Sequence, residues 1–311
     1  MASISRIIVG VDGHGGGWDA LVLACQLARI DGAAITVACV YPNVAAAHAT
    51  LVWVDIALES DATRVLGSAR ERLGDDHAAD FVAAAGSTPG STLQRLAAEH
   101  GADLIVVGST RRATLGRALG ANVVAQTLDH PTCPIAVAPR DMRESKRPIA
   151  NVGVAVDGTP QSLAAVRWAG ELTARSTAWR TIELINIDER AKEPVDRDHA
   201  AIDHLTDEDR CSAFAALPLA IRLGTTVRVG WTDAAGAVVP ELARLTTQLD
   251  LLVIGTHGRG PLGRLLHGAV ARDLADCARC PIVAVPLAQP PDQRPAPGKP
   301  GACQQSESVK T

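Results

Sequence analysis

One loop of the sequence combines glycines with arginines and histidines in a way that suits anion binding. It follows the aliphatic run at residues 251–254, which has the composition of a strand buried on both faces. Gly255 ends the run, and Gly258 and Gly268 follow it, with two and nine residues in between. The amphipathic segment GAVARDLADCAR, which begins at Gly268, predicts a helix whose first N–H groups face the strand end. Because glycines let the backbone approach a ligand closely, this stretch predicts an anion site.

Two aspartates follow similar apolar runs, Asp12 in RIIVGVD and Asp157 in NVGVAVD. Each is expected at the carboxyl edge of a sheet, where open α/β sheets bind ligands. A carboxylate at that edge would repel phosphate, so we expect it to accept a hydrogen bond from another part of a ligand. The alternative is a turn or a helix N-cap, because Asp-Gly is turn chemistry. Both interpretations remain open for these two residues.

The sequence repeats itself in three segments. RIIVGVDGH matches NVGVAVDGT, ADLIVVGST matches LDLLVIGTH, and HPTCPIAVAP matches CARCPIVAVP. Gly108 and Gly255 are 147 positions apart, as are Cys133 and Cys280, and Asp12 and Asp157 are 145 apart. So constant an offset indicates a duplicated domain. We place the two domains at 1–141 and 149–288, with the charged linker DMRESKRP between them. The proline-rich tail at 289–311 is expected to be disordered, and the polar stretch 188–209 to be a mobile loop.

Each copy alternates short β-branched runs with Ala- and Leu-rich stretches, which predicts an α/β fold with helices on both faces of a parallel sheet. Strands are expected at 6–12, 34–40, 81–85, 103–108, 135–139, 151–157, 181–188, 225–230, 251–255 and 282–286. Helices are expected at 18–30, 53–73, 90–100, 121–129, 162–176, 206–222, 237–248 and 268–278, with Pro218 kinking or ending its helix. Five strands and four helices per copy predict two tandem doubly wound units.

Composition argues against two classes of partner. The formal net charge is -4 and the isoelectric point is near 6.1, whereas a nucleic-acid binder usually carries a basic excess. No uninterrupted apolar run reaches the roughly 18 residues of a membrane helix, and no signal peptide precedes the first strand. We therefore expect no membrane partner and a cytoplasmic location. Seven cysteines fit reduced thiols better than a disulfide framework.

Enzymatic motifs are weak in this sequence. It has no Walker loop, no GxSxG elbow and no HExxH pair. Cys277 and Cys280 form a CxxC pair that would suit redox chemistry, or less well zinc. However, Cys133 matches Cys280 in the other copy while His130 matches Cys277, so the repeat explains Cys280 as a small buried residue. With no catalytic or metal-binding set, the sequence favours a binding module over an enzyme.

The chain resembles the universal stress protein family over residues 5–287. The resemblance rests on the spacing of Gly255, Gly258 and Gly268, on the VDG that contains Asp157, and on three motifs that recur in order in both copies. It implies two flavodoxin-like, adenine nucleotide alpha hydrolase-like domains, each with strand order 3-2-1-4-5. It also implies a stress-response protein that binds ATP as a regulatory module.

The resemblance also implies which residues contact the nucleotide, position by position. In the second copy they are Asp157, the backbone of Ile187, Gly255, Gly258, Gly268 and Val270, and in the first copy Asp12, Val40, Gly108 and Val123. The VDG match implies that the aspartate accepts a hydrogen bond from an adenine amino group or a ribose hydroxyl. The apolar last strands, IAVAP and IVAVP, are equivalent to strands that join two units in this family. An internal pseudo-dimer is therefore expected, with a homodimer formed on top of it.

This sequence departs from the family pattern at the positions nearest the phosphates. Ala269 stands where the family has the Ser or Thr that binds phosphate. Losing one such bond removes roughly 1.5–3 kcal/mol, or about 10- to 150-fold in affinity. The first copy departs further, at Arg111, Ala121 and Asn122. We therefore expect ATP mainly in the second domain, with a slow ATPase as a less favoured possibility. The alternative is a degenerate scaffold that binds no nucleotide and acts through its dimer surface.

Overall fold

The computed structural model describes residues 3–43, 52–74, 79–109, 123–129, 131–144, 148–188, 206–223, 227–256 and 269–287. The first unit contains β1 (Arg6–Gly10), α1 (Gly15–Asp31), β2 (Ala34–Pro42), α2 (Val52–Leu73), β3 (Ala79–Gly86), α3 (Pro89–His100), β4 (Leu104–Gly108), α4 (Val123–Leu128), β5 (Ile135–Ala138) and a short 3-10 helix (Met142–Glu144). The second unit contains β6 (Asn151–Ala155), α5 (Pro160–Arg175), β7 (Thr181–Asp188), α6 (Asp207–Ala216), α7 (Leu219–Leu223), β8 (Arg228–Ala235), α8 (Val238–Leu245), β9 (Leu251–Gly255), α9 (Ala269–Cys277) and β10 (Ile282–Val285).

The ten strands of the described residues form one continuous sheet, in the order β3-β2-β1-β4-β5-β10-β9-β6-β7-β8. Pairing is parallel within each unit, which confirms the predicted order 3-2-1-4-5 in both copies. The units meet where β5 and β10 pair antiparallel, with Ala136 opposite Val283 at the centre. The last strands of the two copies thus cover each other's edges, and the predicted internal pseudo-dimer is confirmed.

Two apolar clusters cover the two faces of the sheet, and both continue from one unit into the other. On one face α1 packs over Ile7 and Val9 of β1, α2 packs over β2 and β3, and α5 packs over Val152 and Val154 of β6. On the opposite face α3, α4, α8 and α9 contribute side chains to a cluster that includes Ile8 and Leu252. Burying aliphatic side chains on both faces is what parallel strands covered by crossover helices require. Both units therefore contribute buried side chains to the same two clusters.

Local capping explains where several helices begin and end. The Thr88 and Thr159 side chains N-cap α3 and α5, and each accepts a hydrogen bond from the amide three residues later. Thr206 forms a full capping box at the start of α6. Gly32 and Gly101 end α1 and α3 in the left-handed conformation, which glycine adopts without a steric penalty. These helix ends are therefore encoded by the sequence next to them.

Several predicted boundaries were wrong. The helix expected at 206–222 is two helices, because Pro218 follows the end of α6 and α7 begins directly after it. The strand expected at 225–230 is β8, which begins at Arg228 and continues to Ala235. The first strand of each unit stops at Gly10 or Ala155, so the two aspartates lie in the following turns. The loop predicted at 188–209 was wrong at both ends, because Asp188 is the last residue of β7 and 206–209 form the capped start of α6. Residues 189–205 of that stretch and the tail at 289–311 lie outside the described residues.

The longest helix of the described residues is α2, with 22 residues, and charged side chains recur along it. In this part of the chain, no helix has the combined length and apolar character that crossing a bilayer demands.

Candidate functional site

The candidate residues of the second unit come together at the carboxyl edge of three adjacent strands. β6 lies between β7 and β9 in the sheet. Asp157 follows β6, Ile187 is near the end of β7, and Gly255 is the last residue of β9. The chain runs outward from β6 to β8 on one side and continues with β9 on the other, so this crevice is the topological switch point of the unit.

Asp157 forms a turn with the residues that start α5. Its Oδ1 accepts hydrogen bonds from the amide and the hydroxyl of Thr159, at 3.1 and 2.6 Å. Gly158 between them has φ 76°, a left-handed conformation that explains the glycine after this aspartate. Asp12 makes the same turn, with its Oδ1 accepting from the amide of His14 at 3.0 Å. The turn-forming interpretation is therefore observed at both aspartates, and the N-caps are the residues two positions later.

A second carboxylate lies beside the turn of the second unit. A Cβ placed on Gly158 would come within 3.1 Å of Oδ1 of Asp209, which belongs to the capping box of α6. Asp207 and Glu208 occupy the same first turn of that helix. This negative surrounding suits amino and hydroxyl donors and disfavours phosphate, so a nucleotide here would place its polyphosphate away from Asp157.

Gly255 has a structural role that the sequence pattern did not reveal. A Cβ at this position would lie 2.5 Å from the carbonyl carbon of Gln161 and 2.9 Å from the amide nitrogen of Ser162. At Gly108, the matching position of the first unit, it would lie 2.0 Å from the carbonyl oxygen of Gly16. The strand end therefore touches the first turn of the helix after the neighbouring strand. That contact requires glycine whether or not a ligand binds.

The four aliphatic candidate residues have side chains that pack in the protein, so only their backbone groups are suited to contact a ligand. Val40, Val123, Ile187 and Val270 are partly buried and pack against the same apolar cluster on one face of the sheet. Val270 lies in the first turn of α9, where backbone N–H groups have no partner within the helix. Such a turn can donate hydrogen bonds to an anion.

The remaining predicted positions of the two glycine loops lie outside the described residues. They are Gly258, Gly268, His257, His267, Arg259 and Arg264 in the second unit and Arg111, Arg112, Ala121 and Asn122 in the first.

The linker after β5 is hydrogen-bonded to α1 of the first unit, next to the carboxyl end of β1. The buried carboxylate of Asp19 accepts hydrogen bonds from the amides of Asp141 and Arg143, at 3.0 and 2.8 Å. It also pairs with the Arg143 guanidinium at 3.1 Å. A Cβ on Gly15 would lie 2.9 Å from Nη1 of Arg143, so this arginine covers the first turn of α1. We call this contact between Asp19 and the linker the Arg143 clamp. The second copy has Ala164 in place of Asp19, so it cannot form the same contact.

Comparison with known proteins agrees with this architecture. A model of the universal stress protein family matches the chain twice, at residues 3–139 and 148–286. The chain belongs to the universal stress protein family. A curated relative, Universal stress protein Rv1996 of Mycobacterium tuberculosis (strain ATCC 25618 / H37Rv), is 26% identical over 202 residues. The match spans 60% of this chain and 60% of that relative's length.

A solved universal stress protein shares the fold along nearly the whole chain. That protein, from Archaeoglobus fulgidus DSM 4304, has a TM-score of 0.62 and 12% identity, covering 92% of this chain and 97% of its own. Another, solved in complex with cAMP, has a TM-score of 0.33 and 21% identity, covering 44% of this chain and 97% of its own. The tandem arrangement of this universal stress protein is thus matched along nearly the whole chain by the first of them.

The CxxC pair of this universal stress protein does not have the features of a redox site. Cys280 is buried before β10, and burial raises the pKa of its thiol to about 12. Burial likewise raises the pKa of Cys133 to about 12 at the matching position of the first unit. Cys277 is exposed, and its pKa is also raised, by partial burial and by the charges of Asp276 and Asp273. A reactive CxxC needs a lowered thiol pKa, so this pair does not suit redox chemistry, and the buried Cys133 and Cys280 are suited to packing.

Thiol reactivity should follow these environments. Among the cysteines that the structure describes, a disulfide reagent at pH 8 is expected to modify the exposed Cys211 and Cys277 first. Cys133 and Cys280 should react at least about a thousand-fold more slowly, because their pKa values of about 12 lie three units above the ordinary 9.0. Peptide mapping at timed intervals measures the order. Modification of Cys280 together with Cys277, or an early disulfide between them, would contradict the structural role.

Proposed function

We propose that this universal stress protein binds an adenine nucleotide, ATP, in its second unit and that occupancy regulates its contacts with partners. The observation that carries the proposal is the convergence of Asp157, the Ile187 backbone and Gly255 at the switch point of the sheet. The nucleotide class follows from the family resemblance described for the sequence. We expect the protein to act in the cytoplasm as a homodimer of pseudo-dimers, without a nucleic-acid or membrane partner.

Each part of the nucleotide has a counterpart in this crevice. The carboxylate of Asp157 accepts a hydrogen bond from the adenine amino group or a ribose hydroxyl, because its acidic surroundings attract donors. The free N–H groups at the start of α9, near Ala269 and Val270, face the phosphates. The first unit is the weaker site, since its mouth carries the Arg143 clamp and its loop departs further from the family pattern. Nothing in either set acts as a base or nucleophile, so we expect binding without turnover.

The second candidate function is a scaffold that binds no nucleotide. Two observations favour it: Ala269 lacks the phosphate-binding hydroxyl, and α2 exposes Trp53 and Ile56 to solvent, with 67% and 62% of their surfaces accessible. Large exposed apolar side chains one helical turn apart suit a protein partner. Under this alternative the universal stress protein would act through its surface alone.

Restoring the missing hydroxyl distinguishes the two candidates. Ala269→Ser is expected to tighten ATP binding by about 10- to 150-fold, because it adds one hydrogen bond to a charged phosphate. Isothermal titration calorimetry measures the change, and phosphate release over hours tests for turnover.

Matched aspartate variants locate the site. Asp157→Asn should weaken ATP binding by about tenfold or more. Asp12→Asn should leave it nearly unchanged, because ATP is proposed to bind mainly in the second unit. ATP affinities that stay within about twofold in Ala269→Ser and Asp157→Asn would support the scaffold and overturn the nucleotide proposal.

A further inference from the structure

A separate groove of the second unit lies near the amino ends of its strands, at the opposite end from the proposed nucleotide site. Its volume is about 250 Å³, enough for about eight water molecules. The polar side chains of Asn151, Thr181, Glu183 and Thr232 line it together with the apolar Leu245 and Leu249. Glu183 precedes the carboxyl end of β7 by five residues, so the groove lies about 16 Å from the proposed nucleotide crevice.

The groove exists because glycines flank a glutamate in one row of the sheet. Glu183 of β7 is opposite Gly153 of β6 and Gly230 of β8. A Cβ on Gly230 would lie 1.8 Å from Oε2 of Glu183, and one on Gly153 would lie 2.5 Å from Cδ1 of Leu249. Glycine inside a strand weakens the strand, and it often marks a place where another group approaches closely. Here Gly230 leaves room for the Glu183 carboxylate, and Gly153 leaves room for the Leu249 side chain.

The first unit has no such groove-forming row. Its corresponding residues are Ile8, Thr36 and Asp80, which occupy the same register on β1, β2 and β3. The Ile8 side chain is buried, with 1% of its surface exposed, and fills the space that Gly153 leaves open. The groove is therefore a property of the second copy and does not follow from the shared fold.

The chemistry of the groove favours a cation with an apolar body. Oε1 of Glu183 accepts a hydrogen bond from the Thr232 hydroxyl at 2.5 Å. In the described ranges no lysine or arginine pairs with this half-buried carboxylate. A half-buried carboxylate gains more from a charged donor than from water, since charge-assisted hydrogen bonds are roughly twice as strong as neutral ones. Leu245 and Leu249 provide an apolar wall next to it.

We propose that this groove binds a small primary alkylammonium ion. The ammonium group donates hydrogen bonds to the Glu183 carboxylate, and a short alkyl chain lies against Leu245 and Leu249. The site is independent of the nucleotide proposal, because it uses the other edge of the sheet and none of the same residues.

Three probes of equal length test the proposal on the full-length protein: n-butylammonium, n-butanol and butyrate. Methyl NMR of leucine- and isoleucine-labelled protein follows Leu245, Leu249 and Ile185, which line the groove. We expect n-butylammonium to shift these methyl signals with an affinity at least about tenfold higher than that of n-butanol, and butyrate to have no effect.

Two variants test whether Glu183 is responsible. Glu183→Gln should remove the preference for the amine over the alcohol, because it keeps the shape and deletes the charge. Gly230→Ala should do the same while keeping the charge, because its new methyl group displaces the carboxylate. Glu71→Gln, an exposed charge change on α2, is the matched control and should leave the preference intact.

Two results would overturn the proposal. Equal shifts with n-butylammonium and n-butanol in the wild type would mean that the groove holds water and apolar solutes without selecting charge. An amine preference that survives both Glu183→Gln and Gly230→Ala would mean that the ion binds other carboxylates on the surface.

Discussion

Gly255→Ala is expected to lower the free energy of unfolding by about 2–3 kcal/mol in the absence of any nucleotide. The new Cβ would lie 2.5 Å from the carbonyl carbon of Gln161 and 2.9 Å from the amide nitrogen of Ser162. These are backbone atoms at the start of α5, so the clash cannot be relieved by a side-chain rotation. The strand end and the helix must separate, which loosens the contact between β9 and α5. Urea denaturation of the ligand-free protein measures the loss.

Gly67→Ala is the matched control for this substitution. Gly67 lies within α2, and a Cβ there would meet nothing within 4 Å. Alanine should therefore stabilise the helix by about 0.5–1 kcal/mol through its higher helix propensity. If Gly255→Ala leaves the ligand-free stability unchanged and affects only ATP binding, then the glycine serves the ligand and not the contact between strand and helix.

The repeat and the strand pattern made most of the architecture predictable. Three recurring segments established the duplication, and the aliphatic runs gave the central strands, because a strand buried on both faces has little freedom in composition. The join between β5 and β10 was implied by the family resemblance, and the apolar composition of both last strands agreed with it. Prediction was poorest at β8, whose half-buried residues show no continuous apolar run, and its actual extent depends on pairing with β7.

The candidate site was only partly predictable because spacing shows which residues recur but not what each one touches. Gly255 fitted a ligand loop, yet the structure also places the first turn of α5 against it. The Arg143 clamp on Asp19 joins residues more than a hundred positions apart, and no local pattern in the linker indicates it. The row formed by Gly153, Glu183 and Gly230 depends on the register of three strands, which comes from pairing.

In the described part of the chain, an ion pair joins the two units on each face of the shared sheet. Asp31, the last residue of α1, pairs with Arg175, the last residue of α5, through bonds of 2.6 and 3.0 Å. Asp129 pairs with Arg272 near α4 and α9 on the other face. The Asp31 side chain is only 7% exposed and also accepts the amide of Ile4 at 2.9 Å. The first pair therefore resembles a buried ion pair, whereas Asp129 is largely exposed.

Asp31→Ala is expected to lower the free energy of unfolding by about 2–4 kcal/mol at pH 7. The change removes the Asp31 carboxylate from the Arg175 guanidinium, which is 32% exposed, and takes away the acceptor of the Ile4 amide. The control is Asp61→Ala, which breaks an exposed pair with Arg64 and should cost less than about 0.5 kcal/mol. Equal effects of the two substitutions in urea denaturation would contradict a contribution of the first pair to the join between units.

The same pair should give the stability a defined pH dependence. Burial alone would raise the pKa of Asp31, but the hydrogen bonds from Arg175 and the Ile4 amide and the arginine's charge outweigh it, so the pKa is lowered. A carboxyl whose folded pKa is depressed contributes stability that is fully present above its unfolded pKa of about 3.9 and is lost as the pH falls through its folded pKa. The difference in unfolding free energy between wild type and Asp31→Asn should therefore be constant from pH 6 to 8 and shrink below about pH 4. Urea titrations at pH 7 and pH 3.5 measure it, and a difference that is the same at both values would show that the Asp31 charge does not stabilise the join.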